Sequence, residues 1–491
     1  MSRFAATLAA ACLAIVGCGG SDADSPLDEA LGYLPEDAPL ALIVSTDLEG
    51  DQAQAAEETA RDLPFGPILL QQLQQRFEGG DVDFEEDIEP LLGNEAVVGI
   101  ADPRSLLADD VEGFVAALQT DDADKLEDLA QKGTEEAGEA EGATLYRDDG
   151  TFIAVNDDVL VLSDSEEQLR AALEQRGEDD RLREDDVEDA FDDLPDDAAA
   201  RIYGNVGALL ESDPATATAR RVPFVDALET FAATATIEDG SVAIDFALNT
   251  GDGELGEEQL PIASGDEAPP VIGQEGEIGA GIRDPAQIVS FAEAVAQAVS
   301  PEGFAQFETA KRQIAQGLDV DLDRDLVGQF TGDTSVAIDL EGNFAVRSEL
   351  ANPQAFERTL ERLVRVIPSF AEGAGLGEVG VARPRSGEDF YAVAGEGGEG
   401  IVYGVVDDVF VLANDSRRAA DLASEQPQQV EGAEGAVVVR LDAGRLAEML
   451  LSELGGIAGA LDIDLPPALL TGSIAGGDGG LRGRFTLDLQ L

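Results

Sequence analysis

Residues Asp81-Val82-Asp83-Phe84-Glu85-Glu86-Asp87-Ile88 return as Asp319-Val320-Asp321-Leu322-Asp323-Arg324-Asp325-Leu326, at an offset of 238. The correspondence continues beyond that run. Gly93-Asn94-Glu95-Ala96-Val97 matches Gly332-Asp333-Thr334-Ser335-Val336 at 239, and Asp157-Asp158-Val159-Leu160-Val161-Leu162 matches Asp407-Asp408-Val409-Phe410-Val411-Leu412 at 250. The drift implies loop insertions in the second copy. Near the copy ends, Asp239-Gly240 followed by Phe246 and Leu248 recurs as Asp478-Gly479 followed by Phe485 and Leu487, back at 239. A chain with this internal period must build one supersecondary plan twice. The expected organisation is a first repeat over 31–250, a Pro-, Gly- and acid-rich linker over 251–276, and a second repeat over 277–491.

Each copy opens on a strand, Leu40 to Val44 in the first and Glu277 to Ile282 in the second. Pro285 to Val299 follows as a helix, with Ile288, Val289, Ala292, Val295, Ala296 and Val299 at helical spacing. Ser335 to Leu340 and Phe344 to Glu349 read as strands joined by Glu341-Gly342-Asn343. Amphipathic helices are expected at Ala123 to Lys132 and Pro353 to Val366, the latter marked by Phe356, Leu360, Leu363 and Val364. The hairpins Phe152 to Leu162 and Ile401 to Leu412 turn at Asp157-Asp158 and Asp407-Asp408, residue types that tolerate left-handed backbone. Helices begin after Ser165 and Ser416, and further strands at Ala199 to Tyr203 and Ala436 to Leu441. Hairpin-linked strands with interposed helices predict an α+β fold: two tandem related repeats, largely antiparallel, with helices covering one sheet face in each. The acid-rich stretch 177–197 reads as a solvated linker or frayed helix.

The N-terminus carries an address. Arg3 supplies a positive n-region and Phe4 to Val16 an apolar h-region, shorter than the about 20 residues that a transmembrane helix needs. Leu13-Ala14-Ile15-Val16-Gly17-Cys18 resembles the lipobox read by the lipoprotein diacylglyceryl transferase and signal peptidase II. That resemblance implies a signal peptide at 1–17, cleavage between Gly17 and Cys18, and a lipidated, palmitate-bearing Cys18. Cys12 leaves with the signal peptide, so the mature chain keeps no second thiol for a disulfide. Residues 18–30 are then an anchor and polar tether, and the expected location is extracytoplasmic, at the cell envelope, with the lipid bilayer as the first partner.

Composition narrows the chemistry. With 102 Asp and Glu against 30 Lys and Arg, the chain carries a net charge of −72, which repels phosphate backbones and argues against nucleic acid as a partner. The acids are dispersed, as on a solvated surface. No His occurs, which removes Ser-His-Asp and Cys-His catalysis and His-ligated metals. The absence of Trp removes an indole-lined glycan groove.

Three segments carry a family resemblance: Tyr33-Leu34-Pro35-Glu36-Asp37-Ala38-Pro39, Asp87-Ile88-Glu89-Pro90-Leu91-Leu92-Gly93-Asn94-Glu95 and Asn156-Asp157-Asp158-Val159-Leu160-Val161-Leu162. Together they resemble the bacterial domain of unknown function 3352, in which an aromatic often precedes the Leu-Gly, where this chain has Leu91. The resemblance implies an exported or membrane-anchored protein and brings no catalytic residue.

Candidate chemistry is sparse. Asp81, Asp83, Glu85, Asp87 and Asp319, Asp321, Asp323, Asp325 alternate like the start of a calcium loop, but Arg324 and Glu86 stand where the loop Gly is required, and Phe330 and Leu92 where the bidentate Glu belongs. The favoured reading is a short helix start that packs Ile88 and Leu91, or Leu326 and Phe330. Asp157-Asp158 and Asp407-Asp408 read as turn residues. Gly373, Gly375, Gly377 and Gly380 lack the Lys-Ser/Thr of a phosphate loop. The expectation is therefore a non-enzymatic, lipid-anchored binding or scaffolding module acting on an unknown envelope protein or small ligand, with no catalytic, cofactor or metal residue. The alternative is an extracytoplasmic carboxylate-based hydrolase or cation-binding protein.

Overall fold

A computed structural model describes residues 25–63, 82–100, 113–211, 216–365, 380–444 and 467–489, apart from 133, 149, 239, 252–254, 257–258, 266, 274–276, 340, 383–389, 395–399 and 478. Among the described residues the first half contributes ten strands: β1 Leu40–Ser45, β2 Glu95–Ile100, β3 Phe114–Gln119, β4 Glu135–Ala140, β5 Ala143–Asp148, β6 Thr151–Asn156, β7 Val159–Ser163, β8 Ala200–Asn205, β9 Leu228–Glu238 and β10 Ser241–Thr250. They pair antiparallel in the order β4-β5-β6-β7-β3-β2-β1-β8-β9-β10. The second half contributes β11 Glu277–Ile282, β12 Thr334–Asp339, β13 Phe344–Glu349, β14 Gly380–Ala382, β15 Phe390–Ala394, β16 Gly400–Val406, β17 Val409–Ala413, β18 Val437–Asp442, β19 Ala468–Gly477 and β20 Gly480–Leu489. Their order is β14-β15-β16-β17-β13-β12-β11-β18-β19-β20, again antiparallel. Strands β10 and β20 pair from Ser241↔Asp488 to Asn249↔Gly480, joining the halves into one sheet of 20 strands among the described residues. The fold is α+β, as expected.

Local chemistry explains the hairpins. Asp157 and Asp407 sit at φ +54° and +53°, the left-handed position that a short polar side chain tolerates best after Gly. Strand β7 then reads Val-Leu-Val-Leu-Ser and is buried at every position. A strand without a polar face has no side to leave in water.

Helices accordingly lie on both faces of the sheet, which corrects the expectation of a single covered face. In the first half these include α1 Pro26–Leu31, α2 Asp51–Asp62, α3 Ala123–Gln131, α4 Glu166–Gln175 and α5 Glu184–Phe191. Leu31 of α1, Leu169 of α4, and Val187 and Phe191 of α5 share one core with Val159 and Val161. Leu126 and Leu129 of α3 pack with Leu91 against Leu160 and Leu162 on the opposite face. Each such Leu or Phe contributes about 1.5–3 kcal/mol by leaving water. Helix α5 also corrects the reading of 177–197 as a solvated linker or frayed helix, being an ordered helix with a buried stripe. Its acids Asp185, Asp186, Glu188 and Asp189 face out, while Val187, Ala190, Phe191 and Leu194 recur at helical spacing and enter the core with Leu182.

The second half adds α6 Pro285–Val299, α7 Pro301–Leu318, α8 Leu322–Asp325, α9 Pro353–Leu363 and α10 Ser416–Ser424. Phe356 and Leu360 of α9 pack with Tyr403, Phe410 and Leu412. Ala419 and Leu422 of α10 pack with Val402 and Val411. Helix α6 has the expected bounds, yet none of its residues is buried, and Val289 and Val299 are 39% and 45% exposed. It leans through Phe291, Val295 and Ala298 on Val222, Phe224 and Leu260, a cluster that includes residues of the first half. The linker is likewise tied down: Ala268, Val271 and Ile272 are buried, and Val271 exchanges backbone hydrogen bonds with Gln428.

Candidate functional site

The twin acidic runs become helix caps. Asp83 Oδ1 accepts a hydrogen bond from the backbone N–H of Glu86 at 3.0 Å, and the N–H of Asp83 donates to Asp87 Oδ2 at 2.9 Å. Asp321 repeats the arrangement, accepting from Arg324 N–H at 3.2 Å and donating to Asp325 Oδ2 at 3.0 Å. This reciprocal geometry satisfies orphan donors at a helix start. Ile88 and Leu91 are buried behind the first cap, while Leu326 and Phe330 pack behind the second. The closing acid of each cap is held below the usual carboxylate range, Asp87 by the Lys132 ammonium and the Asp83 N–H, and Asp325 by the Arg324 guanidinium and the Asp321 N–H. Asp81 lies outside the described residues. Asp319 ends α7 at φ +53°, and its carbonyl accepts from Arg362.

A cleft of about 450 Å³ opens between α7 and α8. Its centre is Lys311, whose ammonium reaches Glu293 at 2.8 Å, Glu308 at 3.4 Å and Asp323. Burial alone would lower the Lys311 pKa, but the hydrogen bonds to Asp323 and Glu293 outweigh it and raise it above the ordinary lysine value. A permanently charged, triply paired lysine serves as an electrostatic tie and not as a base. Among the described residues, no group of three or more His, Cys, Asp or Glu is placed to hold a metal ion.

One turn acid, Asp158, reaches across to strand β3. Asp158 Oδ2 accepts from Gln119 Nε2 at 2.9 Å, and Gln119 Oε1 accepts in turn from the Asn94 side chain. Thr46 Oγ1 donates to the Asn94 carbonyl at 2.6 Å and accepts from Gly93 N–H at 3.0 Å. The polar chain thus stitches the Gly93-Asn94 segment to the Asp157-Asp158 hairpin.

A second cavity, about 510 Å³, lies between the Tyr33–Pro39 segment and α4. Leu34, Ile100 and Val115 give it apolar walls, and Gln168 and Gln175 offer amides. Tyr33 beside it is buried, and its Oη accepts from Asn156 Nδ2 at 3.0 Å. Burial, opposed by that hydrogen bond, pushes the Tyr33 phenol up to about 12. Sequence reasoning singled out Tyr33 and Asn156 only as parts of separate motifs. Their contact spans 123 positions and leaves no local signal.

Gly17 and Cys18 lie outside the described residues, as do Gly373, Gly375 and Gly377. No described helix is long and apolar enough to cross a membrane.

No curated protein matches the chain. Among solved structures, crystal form III of TP0453 is similar with a TM-score of 0.25 and 9% identity, covering 46% of this chain and 82% of that one. Crystal form I of TP0453 gives 0.25 and 13%, covering 46% and 80%. The family described as protein of unknown function DUF3352 matches residues 4–367, well over half of the sequence, and the chain belongs to that family.

Proposed function

We propose that this protein is an exported lipoprotein, anchored through acylated Cys18 on the extracytoplasmic side of a cell-envelope membrane, whose folded body is a non-enzymatic binding or scaffolding module. The observation that carries the reading is the Leu13 to Cys18 lipobox behind an h-region too short to span a bilayer. The folded body begins inside the 18–30 stretch expected as tether, since α1 spans Pro26–Leu31 and buries Leu27, Ala30 and Leu31, which leaves a shorter leash. Ser25 caps α1 by accepting from Asp28 N–H at 3.0 Å and bonds Glu184 across the fold. The seven residues from Cys18 to Asp24 reach at most about 25 Å when extended, which holds the body close to its membrane. The partner is an envelope protein or a small ligand, and the strongly acidic surface disfavours nucleic acid.

The engagement of the candidate carboxylates in caps, turns and ion pairs supports the non-enzymatic reading over a carboxylate-based hydrolase. We also read the two halves as tandem relatives. Support comes from their common strand order, the paired caps at Asp83 and Asp321, and the left-handed turns at Asp157 and Asp407.

Metabolic labelling with a fatty acid tests the anchor. The wild-type chain is expected to incorporate label and remain with membranes, and Cys18→Ser to lose both. Continued labelling of Cys18→Ser would refute the assignment.

A further inference from the structure

The seam between β10 and β20 has a property that neither half has alone. Both strands are ten residues long, and both close a hairpin of the same register: Ser241 pairs with Glu238 in β9–β10, and Gly480 with Gly477 in β19–β20. Across the seam the fifth residue of β10, Asp245, is directly opposite the fifth residue of β20, Arg484. Residues at equal distances on either side then exchange places: Ile244 faces Phe485, and Phe246 faces Gly483. The strands are thus related by a local two-fold axis through the Asp245/Arg484 pair. That is the geometry of an isologous dimer interface, in which one patch meets its own copy. Phe246 and Phe485, both sixth in their strands, stack at a centroid distance of 5.9 Å and 15° between planes.

The axial position is where a two-fold interface is most sensitive to charge. On the axis of a true homodimer a residue meets itself, so an acid there would meet an acid and a base a base. Here a guanidinium nitrogen of Arg484 lies 3.8 Å from Asp245 Oδ1, while Asp245 Oδ2 is buried without a hydrogen-bond partner among the described residues. Arg484 also turns toward Glu238 at 3.7 Å and is 42% exposed. An ion pair of this geometry adds little stability. Burial, opposed by Arg484, raises the Asp245 carboxyl above its usual range, so holding a charge there is costly. A like charge opposite either residue would still be unfavourable.

We infer that the β10–β20 seam is a dimer-type interface built within one chain, and that Asp245 and Arg484 on its axis are its specificity pair, directing each strand edge to the other half and away from its own copy in a second molecule. Without the pair, β10 of one molecule could join β10 of another while the β20 strands join likewise, giving a dimer with both seams mispaired. The charges put Asp245 against Asp245 and Arg484 against Arg484 in that dimer, and so discriminate against it. The inference rests on the strand register and on the charges of the axial pair, and is independent of the anchor at Cys18.

Refolding of the full chain from urea, followed by size-exclusion chromatography with light scattering at low and high protein concentration, tests it. The wild type and the charge-swapped D245R/R484D are expected to refold as monomers. The neutral D245N/R484Q is expected to give roughly five-fold more dimer at high concentration, the factor corresponding to about 1 kcal/mol of lost discrimination. The single D245R, with two bases on the axis, is expected to unfold at lower urea than the swap. A neutral variant that refolds as monomeric as the wild type, or a swap no more stable than D245R, overturns the inference.

Discussion

The phenol oxygen of Tyr33 accepts a hydrogen bond from the side-chain amide of Asn156 at 3.0 Å, joining the segment ahead of β1 to the last residue of β6. Tyr33 is among the largest fully buried side chains of the protein and belongs to the core that α1, α4 and α5 form on the sheet. The bond therefore fixes the entry of the chain into the fold. Two of the three segments that resemble the family meet here, and the third is tied to the same hairpin through Asn94, Gln119 and Asp158.

Removing only the oxygen measures that link. Tyr33→Phe keeps the ring and leaves the Asn156 donor without its partner, so a loss of about 1 kcal/mol is expected in urea unfolding. An unchanged midpoint would mean that water replaces the phenol at no cost.

Alkaline pH should act on the same group. Burial raises both Tyr33 and Tyr403 to about 12 from the ordinary 10, because each folded site favours the neutral phenol. For a raised pKa, the stabilisation is fully present below the unfolded value and is lost as pH rises through the folded one. Stability is thus expected to fall between about pH 10 and 12, and spectrophotometric titration should show at least two of the five tyrosines ionising late. Ionisation of all five near pH 10 with the fold intact would contradict these burial shifts.

The paired caps make a prediction about calcium. Asp83 and Asp321 already accept backbone N–H groups. Asp83→Ala and Asp321→Ala should therefore each cost about 0.5–2 kcal/mol in calcium-free buffer. Wild-type melting should be the same with calcium as with chelator. A calcium-dependent rise in melting temperature that either substitution abolishes would restore the cation-site reading.

Much of the fold was legible because its local signals are strong. The two turn motifs at Asp157 and Asp407, the amphipathic stripe at Phe356 and Leu360, and the bounds of α6 all follow from residue chemistry within a few positions. The strand order was not, since pairings such as β1 with β8 and β10 with β20 depend on contacts distant in sequence. The acid-rich 177–197 stretch misled because composition averages over both faces of α5, while burial follows only the stripe Val187, Ala190 and Phe191. The acidic runs were legible as short helix starts because the calcium pattern failed at Glu86 and Arg324, whereas the reciprocal capping by Asp83 and Asp321 emerges only from the backbone geometry. The axial role of Asp245 was invisible without the register.

Side-chain volumes in α4 and α10 are exchanged in a way that can be tested. Counted from the caps Ser165 and Asp415, Leu169 and Ala172 occupy the places of Ala419 and Leu422, and all four are buried. Leu169→Ala should cost about 2–5 kcal/mol by opening a cavity. Adding Ala172→Leu copies the α10 arrangement and should recover part of that loss, since total core volume is restored. A double variant no more stable than Leu169→Ala would mean that the two cores differ in shape as well as in sequence.

The first half's sheet edge carries its own protection. Strand β4 pairs only with β5 among the described residues, and its sequence Glu-Glu-Ala-Gly-Glu-Ala keeps Glu135, Glu136 and Glu139 exposed. Its register also shifts between Glu136 and Gly138, a bulge that bends the ladder away from a partner. Acids and bulges on an edge are the usual obstacles to edge-to-edge pairing. Replacing the three glutamates with Thr raises strand propensity and removes three like charges, so light scattering should report concentration-dependent association while core stability stays within about 1 kcal/mol. If the variant remains monomeric at high concentration, the bulge alone suffices to close the edge, and deleting Ala137 to straighten the strand in the Thr background should then expose it.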